Sequence, residues 1–270
     1  MKTMNKLMML GVFAVLMFGF AVRSHAILLT ETQVLINPKD RVASLTVKNT
    51  SSESEVFRFE FNEMYVPEGR GLKLLEEGET VEGLNAASDF IRFSPRRLKL
   101  APGQVQQVRF LVRRTKDMKD GEYRSYFSLR PEPKVPGVDG EPEKGMVETG
   151  LKVGVGWRIP VILRHGKLAV EGKLRDVRVE EAGVKTKVHF TIEREGNMGL
   201  IGSTRVVCVS DGNAVLGQGG ARVYTERKQV KSFVVLKDGT QGCKDMVLEY
   251  TALPDDPVFS GGLIASAPVN

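Results

Sequence analysis

Residue types that often carry catalysis or bind metals are scarce in this sequence. It has two cysteines and three histidines in 270 residues, and none of them falls in a metal-ligand spacing. The nucleophile elbow G-x-S-x-G, the P-loop, H-E-x-x-H and C-x-x-C are all missing. Gly154 and Gly156 lie within a strand pattern rather than before a helix, which excludes a dinucleotide fingerprint. We therefore expect no enzyme activity, no catalytic residues, no metal and no cofactor.

A concentrated basic surface is also missing. The formal net charge is +6, and it falls to +3 once Lys2, Lys6 and Arg23 leave with a predicted leader. The remaining excess is spread along the chain, whereas nucleic-acid binding uses a basic face. We therefore expect no nucleic-acid partner.

Only the N-terminus carries a long apolar run. Lys2 and Lys6 flank its start, residues 7–22 are uncharged, and Ser24-His25-Ala26 places small residues before a cleavage point. The run is shorter than the ~20 residues that a membrane-spanning helix needs. Residues 1–26 are therefore predicted to be a signal peptide, the alternative being a retained membrane anchor. Because the run does not recur, we expect export and no membrane insertion after cleavage.

The two cysteines, Cys208 and Cys243, both lie in the second half of the sequence. Two cysteines of an exported protein usually form a disulfide, so this pairing is predicted. The alternative is two free buried thiols. A disulfide here would tie a middle strand of the second half to the start of its last strand.

Apolar and polar residues alternate with period two through most of the chain. Phe57, Phe59 and Phe61, for example, are separated by charged or polar residues. Such alternation is typical of antiparallel strands with one face in a core and the other in solvent. The sequence therefore predicts an all-β protein of two immunoglobulin-like β-sandwich domains joined at a hinge.

The hinge is predicted at Arg164-His165-Gly166. The expected domains are residues 27–163 and residues 164–255. Residues 256–270 are rich in proline, glycine and serine, and are predicted to be a flexible tail.

Three connections have recognisable patterns. Pro102-Gly103 predicts a type II turn, because proline presets φ and glycine accepts the positive φ that follows. Asp120-Gly121-Glu122-Tyr123 resembles the tyrosine corner of immunoglobulin-like sandwiches. Residues 66–88 hold glycines and many glutamates, and predict a surface connection.

The longest alternating run precedes the hinge. It follows a proline- and glycine-rich stretch, residues 131–145, and its apolar positions extend from Val147 to Ile159. A long strand with one apolar face after such a stretch is suited to pairing with another protein.

Several of these features occur in one order: the signal peptide, L-x-L-x-P-G-Q at residues 98–104, Y-F-x-L-R-P at residues 126–131 and the long strand before the hinge. This order resembles the periplasmic chaperones of the chaperone–usher pathway, which assemble pili on Gram-negative bacteria. The resemblance covers nearly the whole chain after residue 26 and is strongest over residues 96–131. The I-P-V-I-L-R-H-G hinge is similar to the divergent, archaic branch of that family.

The resemblance implies a mechanism called donor-strand complementation. A pilus subunit is an incomplete sandwich whose groove exposes apolar surface and unpaired backbone groups. The chaperone lends its long strand to this groove, and alternate apolar side chains enter subunit pockets. The residues that match this role are Val147, Leu151, Val153, Val155 and Trp157. The alternative is that they form ordinary core of the first domain.

The family also anchors the C-terminal carboxylate of the subunit between two basic residues in the cleft between the domains. This sequence departs from that pattern, because the first-strand position holds the uncharged Gln33. A charged bidentate donor suits a carboxylate, and the resemblance makes Arg124 and Arg158 the anchor candidates. The alternative is that either arginine belongs to a structural ion pair, for example with Glu122.

The resemblance thus implies a periplasmic chaperone, active in fimbrium biogenesis and cell wall organization, that binds, folds and caps pilus subunits. Its expected partners are these subunits and an outer-membrane usher, and an apolar open edge also favours self-association of the free protein. Two other functions remain open. One is a structural surface or pilus-like protein, although such subunits are single incomplete sandwiches. The other is a secreted enzyme, which would need a convergent polar cluster in a pocket.

Overall fold

The structure is a computed structural model that describes residues 27–69, 71–132, 156–182, 185–238 and 242–269. Strands dominate these residues, and no helix among them has the length and hydrophobicity needed to cross a bilayer. The predicted fold class is confirmed: the protein is all-β, with two immunoglobulin-like sandwiches. The predicted signal peptide and the segment with Val147, Leu151, Val153 and Val155 lie outside the described residues.

The first sandwich is formed by strands that precede the predicted hinge. They are β1 (Ile27–Leu29), β2 (Val34–Ile36), β3 (Val42–Asn49), β4 (Glu55–Asn62), β5 (Met64–Tyr65), β6 (Lys73–Leu74), β7 (Ile91–Ser94), β8 (Arg97–Leu100), β9 (Val105–Val112), β10 (Gly121–Pro131) and β11 (Trp157–His165), with a 3-10 helix at Ser88–Phe90. One sheet has the order β2-β11-β10-β4-β8 and the other β1-β3-β9-β7. β5 and β6 pair separately.

A cluster of phenylalanines joins the two sheets of the first sandwich. The Phe127 ring of β10 lies 4.9 Å from the rings of Phe93 and Phe110, which belong to the opposite sheet. On its own sheet it lies 5.5 Å from Phe59 and 5.3 Å from Phe61, both on β4. The apolar face predicted for β4 is therefore core, as a half-buried antiparallel strand requires.

Two predicted connections are confirmed in detail. The Tyr123 hydroxyl donates a hydrogen bond to the Lys119 carbonyl at 2.9 Å, which is the bond of a tyrosine corner. Gly103 has φ +72°, and the Gln104 amide donates to the Ala101 carbonyl at 3.0 Å. This geometry is that of a type II turn, whose third residue needs a positive φ.

The second sandwich follows the turn at Gly166. Its strands are β12 (Val170–Ala182), β13 (Lys185–Gly196), β14 (Leu200–Cys208), β15 (Ala214–Val223), β16 (Gln229–Val235), β17 (Met246–Ala252) and β18 (Leu263–Pro268). One sheet has the order β12-β13-β16 and the other β15-β14-β17-β18. Side chains from both sheets, such as Phe190 and Tyr250, share one buried core.

The prediction of a flexible tail is wrong for most of its length. Leu263–Pro268 forms β18, which pairs antiparallel with β17. The Asp256 side chain is buried, and the Phe259 side chain packs against the core of the second sandwich. The free edge of β17 supplies hydrogen-bond partners for the backbone of this segment. The segment therefore forms a strand, although its composition, rich in small residues, does not predict one.

The predicted pairing of Cys208 with Cys243 is present in the structure. The bond connects the end of β14 to the segment before β17, and the two Cα atoms are 5.9 Å apart. The cysteines are separated by 35 residues, so the crosslink restricts the unfolded chain considerably.

Replacing both cysteines with alanine is expected to lower the free energy of unfolding by about 2–4 kcal/mol, because the unfolded chain regains the entropy of an open loop. Thermal and urea unfolding of the double variant measure the loss. Reduction of the wild-type protein in metal-free buffer should reproduce it. A double variant as stable as the oxidised wild type would show that the crosslink contributes little.

Candidate functional site

β11 has an open flank at its N-terminal end. On one side it pairs antiparallel with β10 over its whole length, Trp157–His165. On the other side the short β2 pairs in parallel with Val161, Ile162 and Leu163 only. Residues 157–160 therefore have no strand on that side within the described part of the chain. Unpaired backbone groups at such an edge are available to a strand from another chain.

The burial of β11 changes along its core-facing side. Ile159, Val161 and Leu163 are at most 5% exposed and belong to the core of the first sandwich. Trp157 lies on the same face of the strand but is 46% exposed. The core therefore ends between Ile159 and Trp157, and the strand continues from there as an edge with an exposed aromatic side chain.

The structure does not bring the two anchor candidates together. Arg124 of β10 lies opposite Ile162, whereas Arg158 of β11 lies opposite Ser128. The two arginines are thus four register positions apart, about 13 Å at a rise of about 3.3 Å per residue. Arg158 is exposed near the open flank, whereas the Arg124 side chain is only 1% exposed.

Arg124 is held by a carboxylate of the second sandwich. Its guanidinium donates from Nη1 to Glu226 Oε2 at 3.0 Å and from Nη2 to Glu226 Oε1 at 2.5 Å. Glu226 Oε1 also accepts from the Val66 amide at 3.1 Å. The alternative of a structural ion pair therefore holds for Arg124, with Glu226 as the partner instead of Glu122.

Two tyrosines enclose this ion pair. The Arg124 guanidinium lies 3.8 Å from the centre of the Tyr224 ring and 5.6 Å from that of Tyr126. Burial alone would lower the pKa of Arg124, but the hydrogen bonds that Arg124 donates to Glu226, together with the charge of that carboxylate, more than offset this and raise it. Burial also raises the pKa of Tyr126 well above the usual range, so its hydroxyl stays neutral. The Arg124–Glu226 ion pair is therefore charged and lies in surroundings of low polarity.

A second buried ion-pair group lies at the predicted hinge. Arg164 Nε donates to Glu122 Oε2 at 3.1 Å, and both side chains are 1% exposed. Arg164 Nη2 lies 3.7 Å from Asp256 Oδ2, in the segment after β17. Glu122 also donates its amide to the Asn197 carbonyl at 2.9 Å. Arg164 and Glu122 together thus connect β10 and β11 to two segments of the second sandwich.

The connection formed by residues 66–88 also contacts the second sandwich, although the sequence predicts a surface segment. Arg227 Nη1 donates to the Pro67 carbonyl. Gly83 has φ +82°, and a Cβ atom placed there would lie 2.4 Å from the Thr225 carbonyl oxygen. No larger residue fits at Gly83 without separating these two backbones. We call the contacts of Arg124, Glu226, Arg164, Glu122 and Gly83 the domain junction.

Two more polar residues of the first sandwich, Glu63 and Gln33, are partly buried. The Glu63 carboxylate accepts from the Ser125 hydroxyl at 2.9 Å, and burial raises the pKa of Glu63. Gln33, at the position where the resemblance implies a basic anchor residue, is half-buried and uncharged. Among the described residues, its Oε1 atom has no hydrogen-bond partner.

Sequence reasoning missed Glu226 and Asp256 as members of the domain junction. Glu226 pairs with a residue 102 positions away, and no local pattern separates it from the exposed glutamates of this chain. Arg164 was identified only as part of the hinge motif. The full burial of the Arg164 charge indicates its structural role, and this burial can be seen only in the packed fold.

No protein-family model matches this sequence, and no curated protein matches it. Among solved structures, the YadV chaperone is 10% identical, and the match covers 90% of this chain and 98% of that one with a TM-score of 0.47. The Escherichia coli chaperone DraB is 14% identical, with coverages of 91% and 96% and a TM-score of 0.45. A chain of the Salmonella enterica SafA pilin in complex with the SafB chaperone is 16% identical, with coverages of 92% and 97% and a TM-score of 0.45.

Proposed function

We propose that this protein is a periplasmic chaperone that binds a pilus subunit by donor-strand complementation and delivers it to an outer-membrane usher. The observation that carries the proposal is the open flank of β11 at residues 157–160. The sequence just before this flank continues the alternation of apolar residues, with Leu151, Val153 and Val155. A strand added at that flank would continue the sheet that already contains β2, β11 and β10.

The exposed side chain of Trp157 adds to this proposal. An aromatic ring that is 46% exposed at a strand edge offers apolar area to an incoming groove. Main-chain hydrogen bonds would supply affinity, and the pockets that receive alternate side chains would supply specificity. The protein itself contributes a rigid strand to the complex, because the rest of β11 is fixed in its own core.

Of the two anchor candidates, we assign the subunit carboxylate to Arg158. Its side chain is exposed beside the open flank, so a carboxylate can approach it. Arg124 already holds the Glu226 carboxylate with two hydrogen bonds, and a subunit could reach it only by displacing Glu226. The domain junction then has a structural role, because it fixes the position of the second sandwich relative to the proposed donor strand.

The test is co-expression with an exported, β-rich candidate subunit encoded by a gene next to that of this protein. Wild-type protein should form a soluble one-to-one complex, and the double variant Leu151→Asp, Val153→Asp should lose it, because two charges cannot enter apolar pockets without a large cost. Trp157→Asp should weaken the complex. Size-exclusion chromatography with light scattering measures the stoichiometry.

Leu111→Asp is the matched control for these substitutions. Leu111 is 57% exposed on β9, in the other sheet of the first sandwich, so the complex should survive this change. A complex that remains intact in the Leu151→Asp, Val153→Asp variant would rule out the donor-strand role. Loss of the complex in Leu111→Asp as well would point to a nonspecific effect of surface charge.

A further inference from the structure

A carboxylate lies against the disulfide of the second sandwich. Asp245 Oδ1 is 3.4 Å from Cys243 Sγ and 3.6 Å from Cys208 Sγ. The oxygen and the two sulfur atoms lie within 4.8 Å of one another. The Asp245 carboxylate oxygen thus lies close to both sulfur atoms of the disulfide.

We propose that, when the disulfide is reduced, Cys208, Cys243 and Asp245 form a binding site for a thiophilic divalent cation such as Zn²⁺. The inference does not rest on the proposed chaperone function. It adds a second, redox-dependent role for cysteines that the sequence predicts only as a disulfide.

The distances fit tetrahedral zinc. Zinc binds thiolate sulfur at about 2.3 Å and carboxylate oxygen at about 2.0–2.2 Å. At a tetrahedral angle these bond lengths place sulfur and oxygen about 3.5 Å apart. The two observed sulfur–oxygen distances are 3.4 and 3.6 Å. The two sulfur atoms are bonded in the oxidised protein and must separate to about 3.8 Å for both to bind one ion.

The position of Asp245 does not depend on the disulfide. The Val209 amide donates to the Asp245 carbonyl at 3.2 Å, next to the β14–β17 pairing of Cys208 with Met246. The Ser210 hydroxyl donates to Asp245 Oδ1 at 2.5 Å. Backbone and side chain are thus both fixed by bonds that survive reduction. Two of the three donors, Cys208 and Asp245, are therefore already in place in the reduced chain.

The charge of the reduced cluster favours a cation. Two thiolates and a carboxylate within a few ångströms of one another repel each other. A divalent cation neutralises this repulsion. Asp245 is exposed, so a water molecule can complete a fourth position.

The chemistry balances in two steps. A dithiol reductant gives two electrons and two protons to the Cys208–Cys243 bond and becomes a cyclic disulfide, which leaves two thiols on the protein. The cation then displaces the two thiol protons and binds both sulfur atoms and Asp245 Oδ1. In the reverse direction a small disulfide oxidant takes two electrons from the two bound thiolates and two protons from solvent, and becomes two thiols. The Cys208–Cys243 bond re-forms and the cation is released.

The site is remote from the domain junction. Cys208 ends β14, whereas the first residue of this strand, Leu200, lies opposite Val223. The next residue, Tyr224, contacts Arg124 of the domain junction. Eight residues of strand separate the two ends, which is about 26 Å. Changes at the metal site can therefore be tested without altering the domain junction.

The experiment uses full-length mature protein, reduced with a dithiol and freed from it by gel filtration under argon. Titration with Co²⁺ should give one ion per chain and a thiolate-to-cobalt charge-transfer band, and Zn²⁺ should displace the cobalt. Oxidised protein should give no band. Asp245→Asn should weaken Co²⁺ binding at least about tenfold, because one of three ligands loses its charge.

Asp211→Asn is the matched control, since Asp211 is exposed in the same region and is not part of the cluster. It should bind Co²⁺ like the wild type, and the double variant Cys208→Ser, Cys243→Ser should bind none. If reduction unfolds the second sandwich, Zn²⁺ should restore its circular dichroism spectrum. A reduced protein that neither gives the band nor refolds with Zn²⁺, or an unchanged affinity in Asp245→Asn, overturns the proposal.

Discussion

Replacing Arg124 with alanine is expected to lower the free energy of unfolding by about 3–5 kcal/mol. The change leaves the Glu226 carboxylate buried without its cation, and both side chains are only 1% exposed in the wild type. The ion pair connects the two sandwiches, so the cooperativity of unfolding should fall together with stability. Urea unfolding followed by circular dichroism measures both effects.

The double variant Arg124→Met, Glu226→Met separates the cost of an unpaired charge from the value of the pair itself. It removes both charges and keeps much of the side-chain volume, so it should recover most of the lost stability. Arg97→Ala serves as an exposed control. Arg97 pairs with Glu132 at the surface, where its side chain is 67% exposed, and the loss should be less than about 1 kcal/mol. Equal losses in Arg97→Ala and Arg124→Ala would contradict this account.

Phe127→Ala is expected to cost about 3–5 kcal/mol. Phe127 is 1% exposed and its ring contacts four other phenylalanines from both sheets of the first sandwich. Removing the Phe127 ring leaves a cavity in the core. The well-ordered strands around this cavity cannot easily move to fill it. The measurement is again the free energy of unfolding in urea.

Phe233→Ala is the matched control for this substitution. Phe233 is 46% exposed on β16, where it contacts Lys187 and His189. Truncation there removes little buried area, so the loss should be less than about 1 kcal/mol. A similar loss at both positions would mean that burial of the ring does not determine the cost.

The parts of the fold that depend on local patterns could be predicted from the sequence. Phe57, Phe59 and Phe61 identify the inner face of β4, because side chains alternate across a strand. Pro102-Gly103 and Tyr123 identify a turn and a corner whose bonds involve residues only a few positions apart. Cys208 and Cys243 could be paired because the sequence offers no other cysteine.

What the sequence did not predict concerns long-range partners. Leu263–Pro268 was expected to be flexible, but it pairs with the edge of β17. Residues 66–88 are largely exposed, as expected of a surface connection, but their contacts with Glu226, Arg227 and Thr225 of the second sandwich were not predicted. In both cases composition describes the segment correctly as polar or rich in small residues. It does not show which surface lies beside the segment.

The sequence by itself determined the strand pattern and the two-sandwich class. These follow from alternation and turn chemistry, which act over a few residues. Only the tertiary structure showed that Glu226 forms an ion pair with Arg124 and that Asp245 lies against both sulfur atoms. It also showed that, within the described residues, β2 pairs with residues 161–163 of β11 and leaves residues 157–160 open on that side. Each of these depends on groups brought together from distant parts of the chain, because charges and backbone groups that leave water must find partners wherever the packed fold supplies them.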